Sequence, residues 1–192
     1  MRICVFAGSS AGSKATYRAA AVRLGNLLAM QKIGLVYGGG SVGLMGAIAD
    51  AVLHSGGEVI GVIPQFLAAR ELAHTQVSEL RIVGSMHERK ATMAQLSDGF
   101  IAMPGGIGTL DETFEAWTWG QLGQHSKPCA LLNTDDYYSP LLSFVDQMVE
   151  QGFLKSAARE MLLVDADPEA LLQRMQSYVA PGVTKWIQKG EE

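Results

Sequence analysis

Cysteine is scarce in this chain of 192 residues: only Cys4 and Cys129 occur, each inside an apolar run. Isolated thiols in such runs read as buried structural residues, which argues against a disulfide framework or a cysteine-based metal centre. No metal is expected. Basic charge is also in deficit. Fifteen Lys and Arg face nineteen Asp and Glu, a net charge of −4, and no cationic stripe is available to follow a nucleic-acid backbone. Any phosphate that the chain recognises must therefore be held locally. No apolar run approaches the ~18 residues of a membrane span, and MRICVFAGSS is too short and too soon broken by glycine for a signal peptide. A cytoplasmic protein with neither nucleic-acid nor membrane partners is expected. Low-complexity segments are absent as well.

What is present is core-forming. Hydrophobic residues make up 48% of the chain and charged ones 18%, the composition of a folded domain. The length suits one domain over residues 1–192, with a tail from about residue 180, because single cores commonly serve about 100–200 residues. Short β-rich runs alternate with segments of helical spacing. Strands are predicted at Arg2–Ala7, Ile33–Tyr37, Glu58–Ile63, Leu80–Val83, Phe100–Met103, Cys129–Leu132 and Leu162–Val164. Helices are predicted at Tyr17–Met30, after Gly46 to about Leu53, and at Met86–Leu96, Thr109–Leu122, Tyr138–Glu150 and Pro168–Tyr178, with Gln65–Ser78 irregular. Strands apolar on both faces and separated by helices imply an α/β fold, a doubly wound parallel sheet covered on both sides. Ligands of such sheets sit beyond the carboxyl ends of the strands.

Three glycine-rich turns fall at those ends: GSSAG (Gly8–Gly12), GGGSVGLMG (Gly38–Gly46) and PGGIGT (Pro104–Thr109). Glycine admits positive φ and brings backbone N–H groups close to a ligand, while the next helix N-terminus favours anions. Together the turns point to a phosphate pocket, with Gly8, Ser9, Gly39 and Gly40 as possible supports. No GxxxxGK[ST] occurs, which removes a P-loop, and the first turn lacks GxGxxG, which removes a dinucleotide fingerprint. The ligand is smaller.

Two carboxylates follow the third turn. Asp111 reads as dipole-stabilising decoration near a helix start. Glu112 shares a face with Glu115, Ala116 and Trp119 at i+3, i+4 and i+7, so it is partly desolvated beside a phosphate turn and is a catalytic candidate. Glu115 is either a second participant or a support for a neighbouring arginine. In SMHERKATMAQL (Ser85–Leu96), Arg89 and Lys90 lie in the first turns of a helix, where cations oppose the dipole unless an anion is bound. His87 is a packed or capping residue.

PGGIGTLDE at Pro104–Glu112 matches the pattern PGGxGTxxE, and Met86–Lys90 matches MHxRK. With YGGGSVGLMG (Tyr37–Gly46), TWGQLGQHSKP (Thr118–Pro128) and LLNTDDYYSPLLSFVDQMVEQGF (Leu131–Phe153), the chain resembles the Lonely guy proteins over nearly its whole length. Those are cytokinin-activating nucleotide phosphoribohydrolases often labelled as lysine decarboxylases. The resemblance implies hydrolysis of the N-glycosidic bond of a purine nucleoside 5′-monophosphate, with Arg89 and Glu112 as the catalytic pair. It implies nucleotide contacts through Gly105, Gly106, Ile107, Gly108, Thr109, Leu110 and Asp111, and through Lys90, Glu71 and Thr118. AHTQVS after Glu71 departs from the glycine-containing segment of many relatives, and Ala7 replaces a cysteine common there. No cofactor is implied, because a pyridoxal enzyme needs a Schiff-base lysine and a partner for the ring nitrogen. The resemblance further implies a homodimer with active sites near the subunit interface. The region Trp117–Trp119 could form that surface or pack in the core. The rival reading is a non-catalytic carrier of a nucleotide or of molybdenum cofactor, since related α/β proteins bind the latter.

Overall fold

The fold is described from a computed structural model, which covers residues 1–68 and 73–181. Seven strands form one sheet: β1 (Arg2–Phe6), β2 (Gly34–Tyr37), β3 (Val59–Pro64), β4 (Glu79–Val83), β5 (Gly99–Ala102), β6 (Cys129–Leu132) and β7 (Leu162–Asp165). Their order is β4-β3-β2-β1-β5-β6-β7, and each paired neighbour is parallel. The helices are α1 (Ala15–Met30), α2 (Gly43–His54), α3 (Gln65–Ala68), α4 (Met86–Leu96), α5 (Ile107–Gln121), α6 (Ser139–Glu150), α7 (Ser156–Glu160) and α8 (Pro168–Gln176).

The central strands are apolar on both faces because each face meets helices. In β1, Ile3 and Val5 enter a core formed with α1, α2 and α8, whereas Cys4 and Phe6 enter a second core formed with α4, α5 and α6. β5 divides likewise, Ile101 to the first and Phe100 and Ala102 to the second. This is the doubly wound α/β sheet that the alternation predicts.

The chain builds β1 to β4 outward on one side and then returns to lay β5 beside β1. Connections leaving β1 and β5 therefore diverge, and a crevice opens at their carboxyl ends. Differences from the predicted elements are small. α3 lies inside the stretch read as irregular, and α7 was not anticipated. Four and five residues are too few to display a helical period. α5 begins two residues earlier than predicted because Gly106 occupies the N-cap with no side-chain signal. Among the described residues, no helix is long and apolar enough to cross a membrane.

Candidate active site

The three glycine turns meet at the crevice, but they do different work. Gly8 N–H donates to Pro104 O (3.1 Å), joining the first turn to the third. Leu44 and Met45, in the first turn of α2, donate their N–H groups to Gly8 O at 2.9 and 3.3 Å. The amino end of α2 is thereby occupied by a backbone carbonyl. Gly43 (φ +63°) packs so closely on Ser9 that a Cβ there would overlap its backbone. Gly39 O accepts from His74 N (2.9 Å), and Gly40 bridges to Ala73. The GGGSVGLMG turn is thus structural in its bonding.

The start of α5 is different. Its N-cap is Gly106, no side chain caps it, and its first turn holds no acidic residue. Only Leu110 N finds the Gly106 carbonyl (3.2 Å). The residues that carry the preceding N–H groups, Ile107 to Thr109, line a cavity of about 280 Å³ together with Gly106, Arg89 and Glu112. An uncapped first turn of this kind favours anions through its dipole and its N–H donors.

Arg89 is only 6% exposed. Ser85 caps α4 by accepting from Glu88 N (3.1 Å), and Glu88 in turn accepts from Gly84 N (2.7 Å), which fixes how α4 enters. From that start the Arg89 guanidinium reaches over the sheet. Nε donates to Val62 O (3.2 Å) and Nη2 to Gly38 O (2.9 Å), and Nη1 lies 3.9 Å from Met86 Sδ. A fixed cation is thus held above the carboxyl ends of β2 and β3. The Cys4 thiol beneath is pushed well up by burial and further by the charge of Glu112, while Arg89 opposes the shift. Both charges therefore act at the same buried point of β1.

Lys90 turns the other way. Its Nζ is 3.2 Å from Asp111 Oδ2 and 3.1 Å from Glu115 Oε2, and the side chain is 12% exposed. Burial alone would lower its pKa, but hydrogen bonds to Glu115 and Asp111 outweigh it and raise the value. Asp111 and Glu115 thus fasten α5 to α4: Asp111, expected as decoration of the helix start, lies beyond the first turn and pairs with Lys90, and Glu115, expected as a second participant or as a support for an arginine, supports that lysine instead. Because the folded-state pKa is raised, this contribution is fully present at neutral pH and is lost as pH rises through the lysine's folded-state pKa. Lys90→Met should lower the unfolding free energy by about 1 kcal/mol in a urea melt at pH 7, after discounting for the exposure of Asp111. An unchanged melt would show that the pairing contributes nothing.

Leu110 and Asp111 follow the cradle in α5, with Asp111 on the cavity wall. Thr118 is exposed on α5 and does not line the cavity. Glu71 lies outside the described residues. Trp117 is buried, and its Nε1 donates to Ala158 O (3.0 Å). His87 is exposed. Sequence reasoning missed Met45 and Met86, which wall the cavity, and Tyr137, whose hydroxyl donates to Gly105 O (2.6 Å). Each lies inside a stretch that carries the family resemblance, but nothing in those stretches assigns these three side chains to the cavity or its turn. A larger open depression of about 640 Å³ sits at the amino ends of the strands. There Arg2 pairs with Glu58 (3.1 Å) and its backbone N–H with Asp98 (2.8 Å), so the charges satisfy one another away from the crevice.

A family described as "Possible lysine decarboxylase" matches residues 45–175. The chain is 53% identical over 177 residues to a cytokinin riboside 5′-monophosphate phosphoribohydrolase of Arabidopsis thaliana, covering 92% of this chain and 82% of that protein. It is 51% identical over 177 residues to a probable cytokinin riboside 5′-monophosphate phosphoribohydrolase of Oryza sativa subsp. japonica, covering 92% and 72%. Among solved structures, the molybdenum cofactor binding protein of Rippkaea orientalis aligns with a TM-score of 0.69 at 26% identity, covering 92% of this chain and 95% of that one. The molybdenum cofactor carrier protein of Chlamydomonas reinhardtii also gives 0.69, at 23% identity and over 92% and 98%, a likeness of fold alone. With more than half of its length inside the family match and half of its residues shared with these relatives, the chain belongs to the Lonely guy family, whose profile carries the lysine decarboxylase description.

Proposed function

We propose that this chain hydrolyses the N-glycosidic bond of purine nucleoside 5′-monophosphates, AMP or its N6-modified forms, releasing the free base and ribose 5-phosphate. The observation that carries this reading is the pairing, in one cavity, of the uncapped α5 N-terminus with Arg89 and Glu112. The 5′-phosphate sits on the N–H groups of residues 107–109. The guanidinium has five N–H groups, and Gly38 O and Val62 O take two of them. Others serve the oxygens of the ligand and of Glu112. As the C1′–N bond breaks, its electrons pass to the base, which takes a proton, and positive charge builds on the sugar. The Glu112 carboxylate stabilises that charge and orients the water whose hydroxyl joins C1′, and the proton this water gives up balances the one the base takes. A cation fixed before the reaction costs no reorganisation during it.

The lysine decarboxylase description implies pyridoxal phosphate, and the residues do not fit it. Among the described residues no lysine lines the cavity. Lys90, the nearest in sequence to Arg89, is tied to two carboxylates with its pKa raised. A Schiff-base lysine needs the opposite, a depressed value.

Thr118 on the outer face of α5 lies beyond the cavity of a single chain, and a homodimer that brings a second copy to this face would give it a place near the nucleotide. Incubation with AMP and with N6-prenylated AMP should release the base and ribose 5-phosphate in equal amounts, followed by chromatography. Release from neither, with a pterin retained on purification, would favour a carrier instead.

A further inference from the structure

We propose that Tyr137 is a positioning residue for the phosphate cradle, its hydroxyl holding the Gly105–Gly106 peptide in the one orientation that accepts an anion. The inference rests on the reading of the cavity as a phosphoribosyl site.

The carbonyls around the third turn are all engaged. Met103 O accepts from the Tyr138 hydroxyl (2.6 Å), Pro104 O from Gly8 N (3.1 Å), Gly105 O from the Tyr137 hydroxyl (2.6 Å) and Gly106 O from Leu110 N (3.2 Å). Gly105 O differs from its neighbours because its partner is an exposed side chain from beyond β6. Tyr137 lies in a second cavity of about 300 Å³ that shares Gly8, Ser9 and Gly106 with the first. The turn therefore forms a thin wall between two spaces.

In a trans peptide the C=O and N–H point in opposite directions. With Gly105 O drawn to Tyr137 on one side of the wall, the N–H of Gly106 is turned to the other, beside the N–H groups of residues 107–109 that hold the anion. A peptide between two glycines has little to resist its rotation. Rotated, it would aim a carbonyl dipole at the phosphate. The hydroxyl of Tyr137 removes that alternative.

Tyr137 is itself braced. Asp135 and Asp136 before it adopt φ of 53° and 57°, the left-handed conformation that aspartate tolerates better than most residues. Asp135 is held by Thr16 Oγ1 (2.6 Å) and by Lys14 (3.5 Å), both at the start of α1. The hydrogen bond from Thr16 and the charge of Lys14 keep the Asp135 carboxyl below its usual range. The Tyr17 ring meets Tyr137 edge-on at 5.7 Å, and Tyr138 meets it at 5.0 Å.

The test is calorimetric binding of ribose 5-phosphate and of free adenine to the wild type, Tyr137→Phe and Tyr138→Phe. Loss of one hydrogen bond should weaken ribose 5-phosphate binding to Tyr137→Phe about three- to tenfold while adenine binding is unchanged. Turnover of AMP should show the loss in KM more than in kcat. Tyr138→Phe removes the same atom one residue along, from a bond to the strand end, and should keep its ribose 5-phosphate affinity. Equal affinity of Tyr137→Phe and wild type overturns the inference, as does an equal loss in both variants or a wild type that binds no ribose 5-phosphate. The underlying reading fails separately, through absence of base release by the wild type.

Discussion

Glu112→Gln is expected to lower kcat for base release by roughly 10²- to 10³-fold, the usual cost of removing one preorganised electrostatic group. The substitution keeps the shape and hydrogen-bonding reach of the side chain and deletes its charge. Glu112 is half-buried on the wall of the cavity, one turn along α5 from the N–H groups proposed to hold phosphate. In the proposed reaction that distance sets the phosphate at one end of the ribose and the carboxylate near the other, where charge develops. Substrate binding through the phosphate survives, so KM should move far less than kcat. A variant that turns over AMP at the wild-type rate would remove Glu112 from the mechanism.

The second large effect is expected at a residue that touches no substrate. A Cβ at Gly38 would overlap Arg89 Nη2 and come within 3.3 Å of Met45 Sδ. Gly38→Ala must therefore expel the guanidinium from its seat, breaking the bonds to Gly38 O and Val62 O together. Displacement of a catalytic group by about 1 Å commonly costs ~10²-fold, and a loss of at least that size in kcat/KM is expected. Overpacking should also lower stability by about 1–3 kcal/mol. Activity and thermal midpoint measured on the same preparation check both. A fully active Gly38→Ala protein would mean that Arg89 does not need these two anchors.

The sheet was legible in the sequence because its strands are apolar on both faces, as Ile3 to Phe6 illustrate, and a run of that kind has few other fates. Glycine placement marked the crevice for a similar reason. Bonding between distant turns was not legible. Three glycine turns look equivalent in one dimension, yet the amino end of α2 is taken by Gly8 O and that of α5 is not. Arg89 and Lys90 are neighbours with opposite destinations, one over β2 and β3 and one between Asp111 and Glu115. Helical rotation of about 100° per residue separates them, but what each side then meets depends on packing. Tyr137 escaped notice because the acceptor of its hydroxyl is a backbone atom, which leaves no trace in side-chain patterns.

The anchoring of Arg89 has a consequence for how the chain acquires its ligand. The two carbonyls that hold it are 27 and 51 positions earlier in the sequence, one within β3 and one directly after β2, strands that must already be side by side. A partly folded chain, with β2 or β3 undocked, has nowhere to seat the guanidinium and so offers no complete anion site. Contacts of this separation form late and slowly. Nucleotide binding is then linked to the whole native state and not to a loop within it, so saturating ligand should raise the stability of the entire domain by mass action. In a cell, occupancy by substrate would mark the molecules that have finished folding.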